Sequence, residues 1–137
     1  MDYRLHRRAD GRDFLGQFAA SLGCDCDVIC QAGAVRDLVR PDAGADEALL
    51  RDLRIAVERH GVQIIYLVNH ENCGAYAGMK FASRSDELAQ HGQDLRHACR
   101  VVQQTFPGVR VTPLFAELAG GSQDDYLMPA EPPEVPA

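Results

Sequence analysis

The chain has 137 residues, a length for one domain, and 46% of them are hydrophobic, enough to fill a core. Its formal net charge is -6 with a pI of about 5.2, and its basic residues are scattered among acids. That pattern lacks the electrostatic footprint of a nucleic-acid or anionic-membrane binder and leaves a small-molecule site as the expectation.

No apolar run approaches the ~20 residues of a membrane span. The opening MDYRLHRRAD has no apolar core of the signal-peptide kind, so a cytoplasmic location is expected. The five cysteines (Cys24, Cys26, Cys30, Cys73 and Cys99) are an odd number in a chain without a secretory signal. Reduced thiols are expected rather than a disulfide framework.

Residues 1–11 are polar and read, in isolation, as a basic loop. Phe14, Leu15, Phe18, Ala19 and Leu22 fall at helical spacing over residues 13–22, and Gly23 is placed to end that helix. Asp27, Val28, Ile29 and Cys30 predict a short strand running into Gln31, Ala32, Gly33 and Ala34, where small residues allow close backbone approach. Between Asp42 and His60, Ala45, Leu49, Leu53, Ala56 and Val57 share one face of an amphipathic helix that Gly61 closes. The β-branched and apolar run over residues 62–68 predicts a buried strand, and the helix-to-strand order suits a parallel crossover. Ser83 with Asp86 three residues on resembles a helix start, and Leu88, Leu95, Cys99, Val102 and Phe106 mark the buried stripe that follows. Pro107 and Gly108 end it. Val109, Val111, Leu114 and Phe115 suggest a last strand whose Pro113 belongs on a sheet edge or near a strand end. The division is therefore a domain over residues 1–118 and a Pro- and Gly-rich flexible tail over 119–137.

The chemistry concentrates where the strand at 62–68 gives way to NHENCGAY. His70 and Cys73 are delivered at the carboxyl end of a buried strand, where ligands of open α/β sheets bind. Three residues apart in a turn, imidazole and thiolate can approach one ion, and Zn²⁺ accepts that mixture. Gly74 would let the backbone run close to the ion. Spacing alone favours the plainer reading, a strand-capping imidazole and a buried thiol acting as a small hydrophobe, because a pair falls short of the three or four ligands zinc takes. His6, His60, His91 and His97 lack a second ligand at close spacing and read as surface residues, and Cys99 reads as core.

Three segments resemble the β-class carbonic anhydrases, and more closely the short bacterial branch described as putative carbonic anhydrases. NHENCGAY is similar to the family's segment that contributes a zinc His and Cys, which maps to His70 and Cys73. DVICQAGAVR resembles the family's strand and turn ending RNAGA, with Ala32 and Gly33 in the matching places and Cys30 and Gln31 replacing Arg and Asn. Met1, Asp2, Tyr3 and Arg4 match the last four positions of the family motif Cys-x-Asp-x-Arg. The cysteine would then precede Met1, and the first strand, with its thiolate, would lie upstream of the chain.

The resemblance covers residues 1–115 and implies an α/β fold with a parallel-core sheet flanked by helices. It implies Zn²⁺ held by His70, Cys73 and a further cysteine, with reversible hydration of carbon dioxide to bicarbonate. Asp2 would take the proton and Arg4 would hold Asp2 off the metal, making these two the catalytic pair. Cys30, Gln31, Ala32, Gly33 and Gly74 would shape the pocket. A homodimer or higher oligomer is expected by resemblance. Two alternatives stay open: a non-catalytic zinc- or anion-binding module of the same fold, which the Cys30 and Gln31 replacements favour, and a redox protein using Cys24 and Cys26.

Overall fold

The computed structural model describes residues 2–132. In chain order it contains α1 (Phe14–Ser21), α2 (Arg36–Val39), α3 (Ala45–His60), β1 (Ile64–His70), a 3₁₀ helix (Gly74–Met79), α4 (Arg84–Thr105) and β2 (Arg110–Ala116). The architecture is α/β. β1 and β2 pair in parallel from Ile64↔Arg110 to His70↔Ala116, and α4 makes the crossover between them. No described helix is long and apolar enough to cross a membrane.

Local chemistry sets the helix ends. The Asp13 carboxylate accepts the Gly16 N–H and starts α1, and the Ser83 hydroxyl accepts the Asp86 N–H and starts α4. α3 ends at Gly61, whose φ of 72° places it in the left-handed region that glycine enters without strain. Leu49, Leu53 and Ala56 form the buried face of α3. Leu49 and Leu53 join Leu95, Val102 and Phe106 of the α4 segment and Ile65 and Leu67 of β1 in one apolar cluster.

Pro113 sits inside β2 opposite Leu67. The Arg110 N–H reaches the Gln63 carbonyl and the Phe115 N–H reaches Ala130 on the other side. Alternation along the strand therefore turns the Pro113 nitrogen away from β1, where no ladder bond is lost.

Two expectations change. The segment 27–30 is not a strand: residues 24–30 make no backbone hydrogen bond among the described residues, and Val28 and Ile29 are exposed. A strand needs a neighbour about 4.8 Å away. Here the outer edge of β1 has no strand partner among the described residues, and a cavity of about 780 Å³ separates it from this segment. The predominantly apolar cavity is lined by Phe14, Phe18, Val28 and Ile29 as well as by β1.

The second change concerns residues 119–131, whose composition predicted a flexible tail. They fold back on the domain, with antiparallel bridges Phe115↔Ala130 and Leu118↔Tyr126. Acids in this strap meet the basic opening of the chain: Arg8 reaches Asp124 at 3.0 Å, and Arg12 pairs with Asp125.

Leu95 is completely buried at the centre of the cluster. Leu95→Ala should lower unfolding free energy by about 2–5 kcal/mol, seen as a lower urea midpoint with an unchanged slope.

Candidate active site

β1 carries its chemistry to the point where the ladder ends. The Glu71 N–H still donates to the Ala116 carbonyl at 2.9 Å, so His70 is held at the last paired position of the sheet. The chain then turns through Asn72, a non-glycine residue at φ 56°, and Cys73 caps the 3₁₀ helix. The Glu87 carboxylate accepts the Asn72 N–H at 2.5 Å and stabilises that turn. His70 and Cys73 are both buried.

Burial pushes the Cys73 thiol up, and the backbone N–H groups of Ala75, Gly33 and Tyr76, which hydrogen-bond toward it, oppose the shift. Such a ring of N–H dipoles favours thiolate. Gly33 is required for it. With φ at 76°, a Cβ placed there would lie 2.9 Å from the Ala75 Cβ. At Gly74 an added Cβ would meet nothing within 4 Å.

Burial also lowers the His70 pKa, partly offset by a hydrogen bond to the Glu71 carbonyl and by the Asp2 charge, so the ring is neutral at pH 7. Its Nδ1 lies 3.0 Å from the Glu71 carbonyl and 3.1 Å from the Tyr126 hydroxyl.

Asp2 and Arg4 form a two-pronged pair, Nε to Oδ1 at 2.8 Å and Nη2 to Oδ2 at 2.6 Å. The Arg4 hydrogen bond, against an opposing burial effect, holds the Asp2 carboxyl down at about 2. The same guanidinium donates to the Asn72 carbonyl at 2.8 Å and to the Gln123 carbonyl at 3.1 Å, and lies 5.5 Å from the Tyr126 ring centre. Arg4 thus ties the opening residues to the His70–Cys73 turn and to the strap.

Asp2, Cys30, Gln31, Ala32, Gly33, His70, Cys73 and Gly74 all line the large cavity beside β1. Arg4 sits behind Asp2 instead. Cys30 is exposed, and Gln31 turns a buried Oε1 without a hydrogen-bond partner among the described residues.

His91 corrects a sequence expectation. It is wholly buried, whereas His6, His60 and His97 are exposed. Its Nδ1 accepts from the Asn69 amide at 3.0 Å, and burial lowers its pKa to about 4. Asn69 also donates to the Tyr76 hydroxyl at 3.3 Å, which donates to Asp94 at 2.8 Å, and Arg40 neutralises Asp94. This buried network lies directly under the His70 turn and was not anticipated. Part of its signal was present: His91 and Leu95 follow Leu88 at i+3 and i+7, on the face already read as core, whereas Asp94 at i+6 falls outside that stripe. Tyr126 and Glu71 were also missed, because their partners are distant in sequence.

A family model described as "Putative carbonic anhydrase" matches residues 1–122. The chain belongs to that family. No match was found among curated proteins or among solved structures. Zinc, the metal this carbonic anhydrase family implies, finds the right donor types in His70 and Cys73. Among the described residues, however, no three His, Cys, Asp or Glu side chains gather as a metal site. The fit is therefore right in kind and one ligand short of the three that zinc sites ordinarily draw from protein.

A carboxyl held below its unfolded value of 3.8 contributes stability that is complete above that value and is lost as pH falls through about 2. Urea midpoints measured from about pH 6 down to about pH 2 should fall more steeply in the wild type than in Asp2→Asn, by the linkage of this one group. Equal slopes would remove Arg4 as the cause.

Proposed function

We propose that this chain is a zinc-dependent carbonic anhydrase that hydrates carbon dioxide reversibly to bicarbonate. One observation carries the reading: at the end of β1 a neutral imidazole and a buried thiol line the same cavity as a carboxylate that Arg4 keeps ionised. His70 and Cys73 would hold the metal. The third ligand would be a thiolate on a strand leading into Asp2. The outer edge of β1, without a strand partner among the described residues, and the apolar cavity alongside it, with Asp2 in its lining, leave room for such a strand.

Zinc, when bound, acidifies water so that a nucleophile is available near neutral pH. The chain's own residues do the rest. Asp2, ionised throughout the physiological range, accepts a hydrogen bond and orients the attacking oxygen. Arg4 occupies both carboxylate oxygens from behind and keeps Asp2 from becoming a ligand itself. The apolar walls suit carbon dioxide, which has no net charge or dipole.

A second reading, a non-catalytic zinc- or anion-binding module, is favoured by the two-donor count and by Cys30 and Gln31 in the pocket wall. The two readings part on one experiment. The chain is produced with a cysteine immediately ahead of Met1, zinc content is measured, and hydration of carbon dioxide is followed by stopped flow. Stoichiometric zinc with hydration well above buffer is expected, and Cys73→Ser should weaken zinc binding by at least about a hundredfold, beyond the loss typical of an outer-shell partner. Full zinc occupancy with no rate above buffer would replace the enzyme reading by the binding module.

A further inference from the structure

Nδ1 of His70 faces two oxygens, and their chemistry decides which nitrogen carries the proton. The Glu71 carbonyl, 3.0 Å away, can only accept, so Nδ1 must donate. The Tyr126 hydroxyl donates its single proton to that same carbonyl at 2.9 Å. It therefore presents a lone pair to Nδ1 at 3.1 Å. One N–H thus points at two acceptors. Moving the proton to Nε2 would set the Nδ1 lone pair against the Glu71 carbonyl, and Tyr126 could donate to Nδ1 only by giving up its own bond to that carbonyl.

The Tyr126 ring is itself fixed. It stands edge-on to His70 with centroids 5.4 Å apart, packs at 5.8 Å on Phe14, and lies 5.5 Å from the Arg4 guanidinium. The strap is bound on both sides of it. Leu127 donates to the Glu117 carbonyl at 2.8 Å, and Arg4 reaches the Gln123 carbonyl. Tyr126 lies beyond residues 1–122, the part of the chain that the family model matches.

We infer that Tyr126 is a positioning residue: with the Glu71 carbonyl it locks His70 as the Nδ1–H tautomer, so that Nε2 is left as the ring's only lone-pair donor. Without the hydroxyl, Nδ1 keeps one acceptor, and the ring is freer to rotate and to exchange its proton between nitrogens. The strap is then a working part of the site, holding the imidazole in the state a metal or another electrophile requires.

The tautomer is read directly by long-range ¹⁵N–¹H correlation of the His70 ring in metal-free full-length protein at neutral pH. Zinc affinity is read in the form that carries a cysteine immediately ahead of Met1, with and without the Tyr126 substitution, by competition against a chromophoric chelator. The wild type should give the Nδ1–H pattern. Tyr126→Phe, which keeps the ring contacts, should show a mixed tautomer pattern and a tenfold to hundredfold weaker zinc affinity. The affinity arm rests on the proposed function and the tautomer arm does not: if wild type and variant both ignore zinc, the metal reading fails while the tautomer shift still supports the lock. An Nε2–H or doubly protonated ring in the wild type overturns the lock without any variant. So does a folded Tyr126→Phe whose ring pattern matches the wild type.

Discussion

The parallel ladder between β1 and β2 determines where every reactive group sits. Its last register pair, His70↔Ala116, and the Glu71–Ala116 hydrogen bond beyond it stop the strand at one defined residue. A slip of one position would turn the His70 side chain to the opposite face of the sheet. Burial prevents that slip, because Ile65, Leu67 and Asn69 face the core only in the present register. Core packing and site geometry are therefore the same constraint seen at two ends of one strand.

Around that fixed end, charge arranges the loops. Arg4 is the node: a single guanidinium satisfies the Asp2 carboxylate, the Asn72 carbonyl and the Gln123 carbonyl, drawing three separate stretches of chain together. Planar, multiply donating and permanently charged, arginine can hold such a junction where lysine would not. Arg8 and Arg12 repeat the theme at the rim with Asp124 and Asp125. Those outer pairs are exposed enough for each to be worth little alone, and they act as a network that seats the strap.

Beneath the turn, a polar network replaces apolar packing. Asn69, Tyr76, His91 and Asp94 are all buried, and hydrogen bonds join them in a chain that Arg40 closes with charge. Polar groups in such surroundings are costly unless partnered, so a satisfied chain of them admits few alternative arrangements. His91 Nε2 is the exception: among the described residues it has no hydrogen-bond partner, and the Glu87 carboxylate lies 3.7 Å away. Glu87 in turn holds the backbone of the turn at Asn72, so the network and the candidate site share a wall.

Local pattern determined much of this protein. Helical periodicity placed α1, α3 and α4, glycine placed the end of α3, a serine cap placed the start of α4, and the β-branched run placed β1 with His70 and Cys73 at its end. These are contests between neighbours in sequence, which a sequence read alone can judge. Tertiary structure decided the rest. Residues 27–30 have strand-forming side chains but no backbone partner among the described residues, so their preference goes unrealised. Residues 119–131 have a loop composition but meet the arginines of the chain's opening, so they are tied down. Tyr126 joins the site through partners 55 and 56 residues away. Such contacts depend on which distant segments the fold brings within hydrogen-bonding distance, and no local pattern of residues encodes that.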